Sequence, residues 1–240
     1  MRETIGKYRL LERLGDGGMG VVFLAEDPDL ERRVAIKMLH EELSDPVWKE
    51  RMRREARAAA GISHPNICQV YEVGESDGEL FHAMELLEGQ PLCDRMAKGK
   101  LPTGEALTIM AETLAALEAL HAKGFVHRDL KPSNIFLTPH GVKLLDFGLA
   151  LPVHEALTQG DGRLTQTGMM VGTPAFMAPE QWRGEAVGPA SDLFAAGAIA
   201  FELLAGEPAF RGNGPLDIFH AIAHDQAPVS YKHLTLPTKE

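Results

Sequence analysis

His127-Arg128-Asp129-Leu130-Lys131-Pro132-Ser133-Asn134 is followed, after eleven intervening residues, by Asp146-Phe147-Gly148. These strings place two carboxylates, an amide and a lysine on two short loops joined by one hydrophobic strand pair. Towards the N-terminus, residues 8–40 read as three strands. Residues 8–14 enter a glycine cluster, 21–25 leave it, and 34–37 follow a polar turn. A helix is expected from Asp45, with Asp45 as N-cap and Pro46 in the first turn, ended by Gly61 and His64-Pro65. Strands around 67–73 and 79–86 complete a small, mostly antiparallel sheet. After Gly89 the period changes. Residues 103–123 carry Leu107, Met110, Leu114, Leu117 and Leu120 at helical spacing, closed by Gly124. Residues 191–205 are apolar almost all round and stopped by Gly206, the pattern of a helix at the centre of a helical lobe. The expectation is an α+β chain, with a β-rich lobe carrying one main helix over residues 1–88 and a mainly helical lobe over 89–228.

Composition narrows the function. With 240 residues, 45% hydrophobic and 24% charged, the chain is long enough for two small lobes around a shared cleft and too apolar for wholesale disorder. A formal net charge of −10 argues against a nucleic-acid-binding face and mildly favours neutral or basic protein partners. Cys68 and Cys93 lack CxxC spacing and read as free thiols of a reducing compartment. The N-terminus has no signal-peptide pattern, and no stretch reaches the ~18 apolar residues of a membrane span, so a cytoplasmic location is expected.

Gly15-Asp16-Gly17-Gly18-Met19-Gly20 lies between two expected strands. Backbone without side chains can approach phosphate oxygens and offer N–H donors. A dinucleotide-binding fold would need a helix directly after it, and a strand follows instead. A plain hairpin and a phosphate lid both fit. Strand alternation puts Ala35 and Lys37 on one face, where the Lys37 ammonium can reach phosphates. A buried cation needs a partner, and Glu55 on the expected helix is the candidate. Downstream, Asp129 can orient a hydroxyl, Lys131 can neutralise a moving phosphoryl group, and Asn134 with Asp146 supply oxygen ligands for Mg²⁺. Phosphoryl transfer from a nucleotide needs this set.

Over residues 8 to about 220 these motifs resemble the protein kinase family, and Lys131-Pro132-Ser133-Asn134 with Gly172-Thr173-Pro174 resembles its serine/threonine branch. The wording is similar to the eukaryotic-like kinases of bacteria. The resemblance implies a two-lobed kinase-like fold and transfer of the γ-phosphate of Mg·ATP to Ser or Thr hydroxyls of proteins. It implies a nucleotide site of Leu14, Gly15, Gly17, Gly20, Val22, Ala35, Lys37, Met84, Glu85, Leu87 and Phe136, with the Glu85 carbonyl and the Leu87 N–H on adenine. Catalytic roles fall to Asp129, Lys131, Lys37 and Glu55, metal binding to Asn134 and Asp146, and His127 becomes a packing residue under Phe147. Thr173 would shape the substrate platform. Thr165 and Thr167 resemble an autophosphorylated pair whose phosphates could meet Arg128. Self-association for trans-autophosphorylation is implied as well.

The pattern breaks near the end. Kinase domains ordinarily continue for further helices that supply an arginine for the glutamate at the position of Glu180. Residues 229–240 resemble translated adapter DNA rather than kinase sequence, so a truncated C-terminal lobe, an unpaired Glu180 and a non-native tail are expected. Full-length relatives often continue into a membrane tether and a sensor domain. Two other readings stand beside the enzyme: an inert fragment or non-catalytic kinase-like binding module, and a small-molecule phosphotransferase of related fold. Retention of Lys37, Asp129 and Asp146 counts against the module. Gly172-Thr173-Pro174 and Ala178-Pro179-Glu180, which look like a peptide platform, count against the phosphotransferase.

Overall fold

The chain divides between Glu88 and Gly89 into two units, Met1–Glu88 and Gly89–Glu240. The computed structural model describes residues 3–17, 20–39, 61–146 and 174–225. The first unit holds β1 (Thr4–Ile5), β2 (Tyr8–Gly17), β3 (Gly20–Asp27), β4 (Arg32–Leu39), β5 (Val70–Ser76) and β6 (Glu79–Met84). All pair antiparallel, in the order β1-β2-β3-β4-β6-β5. The three strands expected over residues 8–40 are β2, β3 and β4. β1 was not expected, because two residues are too few to show alternation. β5 runs three residues later than the sequence implies. Asp77 and Gly78 both have positive φ (53° and 83°), the two-residue turn that pairs Ser76 with Glu79 and carries the strand out to it. The helix expected from Asp45 lies outside the described residues.

Pairing register decides which residues share a face. Ala25 opposite Val34, Ile36 opposite Ala83 and Met38 opposite Phe81 put these side chains together. With Ile5 and Tyr8 they form the buried core of this unit. Each large side chain so buried contributes on the order of 1.5–3 kcal/mol. The Tyr8 ring meets Phe81 edge-on at 5.9 Å while its hydroxyl donates to Glu72 at 2.6 Å, so its polar end is satisfied.

At the turn between β3 and β4 the buried Asp27 lies 3.2 Å from Lys7 Nζ and 3.6 Å from Arg32 Nε, and accepts the Asp29 N–H at 3.2 Å. Burial alone would raise its carboxyl. The hydrogen bond and charge of Lys7, the Asp29 amide and Arg32 outweigh that and hold it below the usual range. A depressed carboxyl adds stability above its unfolded pKa of about 3.9, and the addition is lost as pH falls through the folded-state value. Urea midpoints of wild type and Asp27→Asn are therefore expected to separate above about pH 4, with wild type higher, and to converge in stronger acid.

The second unit holds β7 (Gln90–Pro91), α1 (Leu92–Ala97), α2 (Thr103–Ala122), β8 (Ile135–Thr138), β9 (Gly141–Leu144), α3 (Pro179–Trp182), α4 (Pro189–Ala205) and α5 (Pro215–His224). β7, β8 and β9 form a small antiparallel sheet, and α2 packs against both α4 and β9. The α2 stripe is rotated from the one expected. Leu107 and Leu114 are exposed, and Ala106, Ile109, Met110, Thr113, Ala116, Leu117 and Leu120 face inward. Small residues recur on both facing helices (Ala106, Thr113 and Ala116; Ala195, Ala196 and Ala198), which outweighs simple leucine spacing. Thr113 is tolerated there because its hydroxyl donates to the Ile109 carbonyl at 2.8 Å. α4 is largely buried, as its composition implies, although Leu193 is exposed. It starts at Pro189 rather than Ser191, with proline in its favoured first turn. Among the described residues no helix is long and apolar enough to cross a membrane, and Cys68 and Cys93 are free thiols.

One side chain ties α2 to the sheet. Glu112 accepts the Val142 N–H at 2.6 Å. Gly141, at φ 113°, has no room for a side chain, since a Cβ would stand 2.8 Å from that carboxylate. Glu112→Ala is expected to cost about 1–3 kcal/mol by removing a charged acceptor of the Val142 N–H, and Glu112→Gln, which keeps an acceptor, clearly less. Denaturant unfolding of the two variants checks the order.

Candidate active site

In the first unit, register assembles the expected nucleotide residues on the sheet face opposite its core. Gly15 pairs with Val22, Val22 with Lys37 and Ala35 with Met84, so all five share a face. Gly17 pairs with Gly20, which makes the glycine-rich stretch the tip of the β2–β3 hairpin rather than a separate loop. Leu14 falls at a register shift and is exposed. A bulge of this kind re-aims a side chain. Lys37 is 7% exposed, so its ammonium sits in a largely dry setting. Its expected partner Glu55 lies outside the described residues. Glu85 is tied to Gln69 in both directions: its N–H donates to the Gln69 carbonyl at 2.9 Å and its carboxylate accepts the Gln69 N–H at 3.3 Å. Leu87 follows, half-buried.

In the second unit, the loop before β8 and the end of β9 are fastened together. The Leu145 N–H donates to the Asn134 carbonyl at 2.9 Å, and the His127 ring reaches the Leu145 carbonyl from Nε2 at 2.9 Å. His127 Nδ1 accepts the Asp129 N–H at 3.3 Å, so Nε2 carries the proton and the ring is neutral. Burial holds this imidazole below its ordinary range, against the pull of Asp192 and Asp129. His127 is fully buried and braces the loop through these bonds. Phe147 lies outside the described residues.

Asp129 Oδ2 accepts from Lys131 Nζ at 2.7 Å and from Asn134 Nδ2 at 3.1 Å. Asn134 Nδ2 also donates to the Asp129 carbonyl at 2.8 Å. This double use of the NH₂ fixes the amide, leaving Asn134 Oδ1 without a partner among the described residues. Asp129 Oδ1 is likewise unoccupied there. A free amide oxygen on Asn134 and the half-buried carboxylate of Asp146, at φ 54°, are hard oxygen donors of the kind Mg²⁺ takes together with water and phosphate. The donor set fits. Phe136, half-buried on β8, pairs with Lys143 and Pro91. Thr165, Thr167 and Thr173 lie outside the described residues.

The residues from 8 to 239 match the family model described as the protein kinase domain. The chain belongs to the protein kinase family. The chain is 43% identical over 231 residues to serine/threonine-protein kinase PknA of Mycobacterium tuberculosis strain H37Rv, covering 93% of this chain and 52% of PknA. It is 44% identical over 232 residues to serine/threonine-protein kinase PksC of Streptomyces coelicolor, covering 92% of this chain and 41% of PksC. The kinase therefore spans about half the length, or less, of these curated relatives. The crystal structure of the M. tuberculosis PknI kinase domain superposes with a TM-score of 0.72 at 31% identity, covering 88% of this chain and 78% of that one. The fold is the protein-kinase fold, and the relatives place the chain in the bacterial, eukaryotic-like serine/threonine branch.

Several supports of the loop over residues 127–134 were not visible in its motifs. Arg128 sits at φ 69°, a conformation that persists only when surroundings impose it. Asp192, 1% exposed near the start of α4, accepts the His127 N–H at 2.8 Å and the Arg128 N–H at 2.9 Å, and meets His121 Nε2 at 2.7 Å. On the other side, Gln181 Nε2 donates to the Arg128 carbonyl at 2.7 Å while its Oε1 accepts the Ala178 N–H at 3.0 Å. The strained residue is gripped at both ends of its peptide. A signal for Asp192 does exist in the sequence: a carboxylate inside an otherwise apolar helix must find donors. Glu180, for which an arginine partner was expected to be missing, accepts the Ser191 hydroxyl and has no cationic partner among the described residues.

Proposed function

We propose that this kinase transfers the γ-phosphoryl group of ATP, with Mg²⁺, to serine or threonine hydroxyls of proteins. The observation that carries the reading is the state of Asp129. One carboxylate oxygen is held by Lys131 and Asn134, and the other has no partner among the described residues. That arrangement orients a receiving hydroxyl and keeps a cation beside the phosphoryl group in transit. Lys37, on the same sheet face as Gly15, Val22 and Ala35, supplies charge to the nucleotide phosphates. Asn134 and Asp146 would hold Mg²⁺, which supplies charge neutralisation on the phosphate oxygens when bound. His127 and Asp192 move no proton in this scheme; they hold the loop.

Regulation by phosphorylation belongs to the same proposal. The Arg128 Nε is buried with no hydrogen-bond partner among the described residues. A buried guanidinium donor without an acceptor is suited to a phosphate, and phosphorylated Thr165 or Thr167 would supply one. The test incubates the purified chain with Mg·ATP and a basic model protein, with phosphate located by mass spectrometry. Phosphoserine or phosphothreonine on the protein, and on Thr165 or Thr167, is expected. No Mg²⁺-dependent transfer from the chain, in a preparation that unfolds cooperatively, would overturn the proposal.

A further inference from the structure

We propose that His220 and His224 form a site for a divalent transition-metal ion of the imidazole-binding kind, Zn²⁺, Ni²⁺ or Cu²⁺, separate from the Mg²⁺ donors. The two lie one turn apart on α5, at i and i+4, and both are exposed. Their ring centroids are 4.7 Å apart, with the planes at 49°. Two imidazoles sharing one ion at metal–nitrogen distances of about 2.0–2.1 Å, in square or tetrahedral arrangement, have ring centres about 4.5–5.2 Å apart. The pair already stands at chelating separation.

The rest of the helix holds it there. Ala221 and Ile222 are buried against Phe210, and Phe219 packs on Trp182 of α3 at 5.1 Å. The inner face of α5 is thereby fixed while the outer face carries the histidines. Neither ring makes a hydrogen bond or ion pair among the described residues, so coordination displaces no partner there. The pair sits in the last turns of α5, where the carbonyl end of the helix favours positive charge. Asp217 adds a carboxylate one turn earlier on the same side, its Oδ2 accepting the Asn213 N–H at 3.0 Å. No group of three or more metal-ligating side chains gathers among the described residues, which contribute two ligands here, with water able to complete the shell.

Calorimetric titration of the full chain with ZnCl₂ and NiCl₂, in Mg²⁺-saturated buffer free of chelators, tests the proposal. One ion per chain is expected. His220→Ala and His224→Ala should each weaken binding about tenfold or more, because each removes one arm of a chelate. His140→Ala, at an exposed position in the β8–β9 turn, should leave affinity unchanged. Both test positions are exposed, and metal-free heat unfolding confirms that the variants fold. Absence of a single stoichiometric ion in wild type, or equal affinity in either α5 variant, overturns the site.

Discussion

Replacing Asp129 by Asn is expected to lower turnover by about 10²–10⁴-fold, the range for a positioned acid–base group. The size follows from what surrounds the carboxylate. Lys131 and Asn134 both donate to Oδ2, and Oδ1, without a partner among the described residues, can meet a receiving hydroxyl. Asparagine keeps the shape but has one acceptor oxygen where there were two. If that oxygen stays with Lys131 and Asn134, an NH₂ faces the substrate. If it faces the substrate, the NH₂ meets two other donors. Either orientation loses the charge and one essential contact. The deficit should fall in kcat, with the fold intact by heat unfolding, since Asp129 and Lys131 are both partly exposed. Steady-state kinetics on a protein substrate decide it, and turnover within threefold of wild type would remove Asp129 from the chemistry.

Asp192→Ala is expected to cost about 3–5 kcal/mol, as when one member of a buried charged network is removed. Asp192 serves two consecutive backbone N–H groups and the His121 ring from a position 1% exposed to solvent. Alanine removes the acceptor of all three donors, and among the described residues Gln181 alone then opposes the strain at Arg128. Against a typical net stability of about 5–15 kcal/mol, such a loss brings the second unit close to unfolding. Asp192→Asn keeps one oxygen and should lose roughly half as much. Urea unfolding of the three proteins gives the ranking; a deficit below about 1 kcal/mol for alanine would show that the loop does not depend on this anchor.

What could be read in advance follows physical range. The strand pair around the glycine hairpin has period-two alternation over many residues, and pairing then forces Gly15, Val22, Ala35, Lys37 and Met84 onto one face. The loop motif gathers its carboxylate, lysine and amide within eight residues, so the residue types were legible locally, while the roles of Asp129, Lys131 and Asn134 came with the family resemblance. Asp192 and Gln181 act across separations of 64 and 53 residues from Arg128, which no local pattern encodes. The α2 face was misjudged because leucine count outweighed the small residues that let helices approach. Short elements such as β1, β7 and α1 have too few residues for periodicity to appear. The roles of Glu55, Thr165, Thr167 and Thr173 rest on resemblance.

The carboxylate beneath His127 and Arg128 also makes these two amides natural reporters. Their protons point into a solvent-free acceptor on a long helix, so local fraying cannot release them. In deuterated buffer they should exchange only when the second unit opens as a whole, far later than the neighbouring amides of the exposed β8–β9 turn.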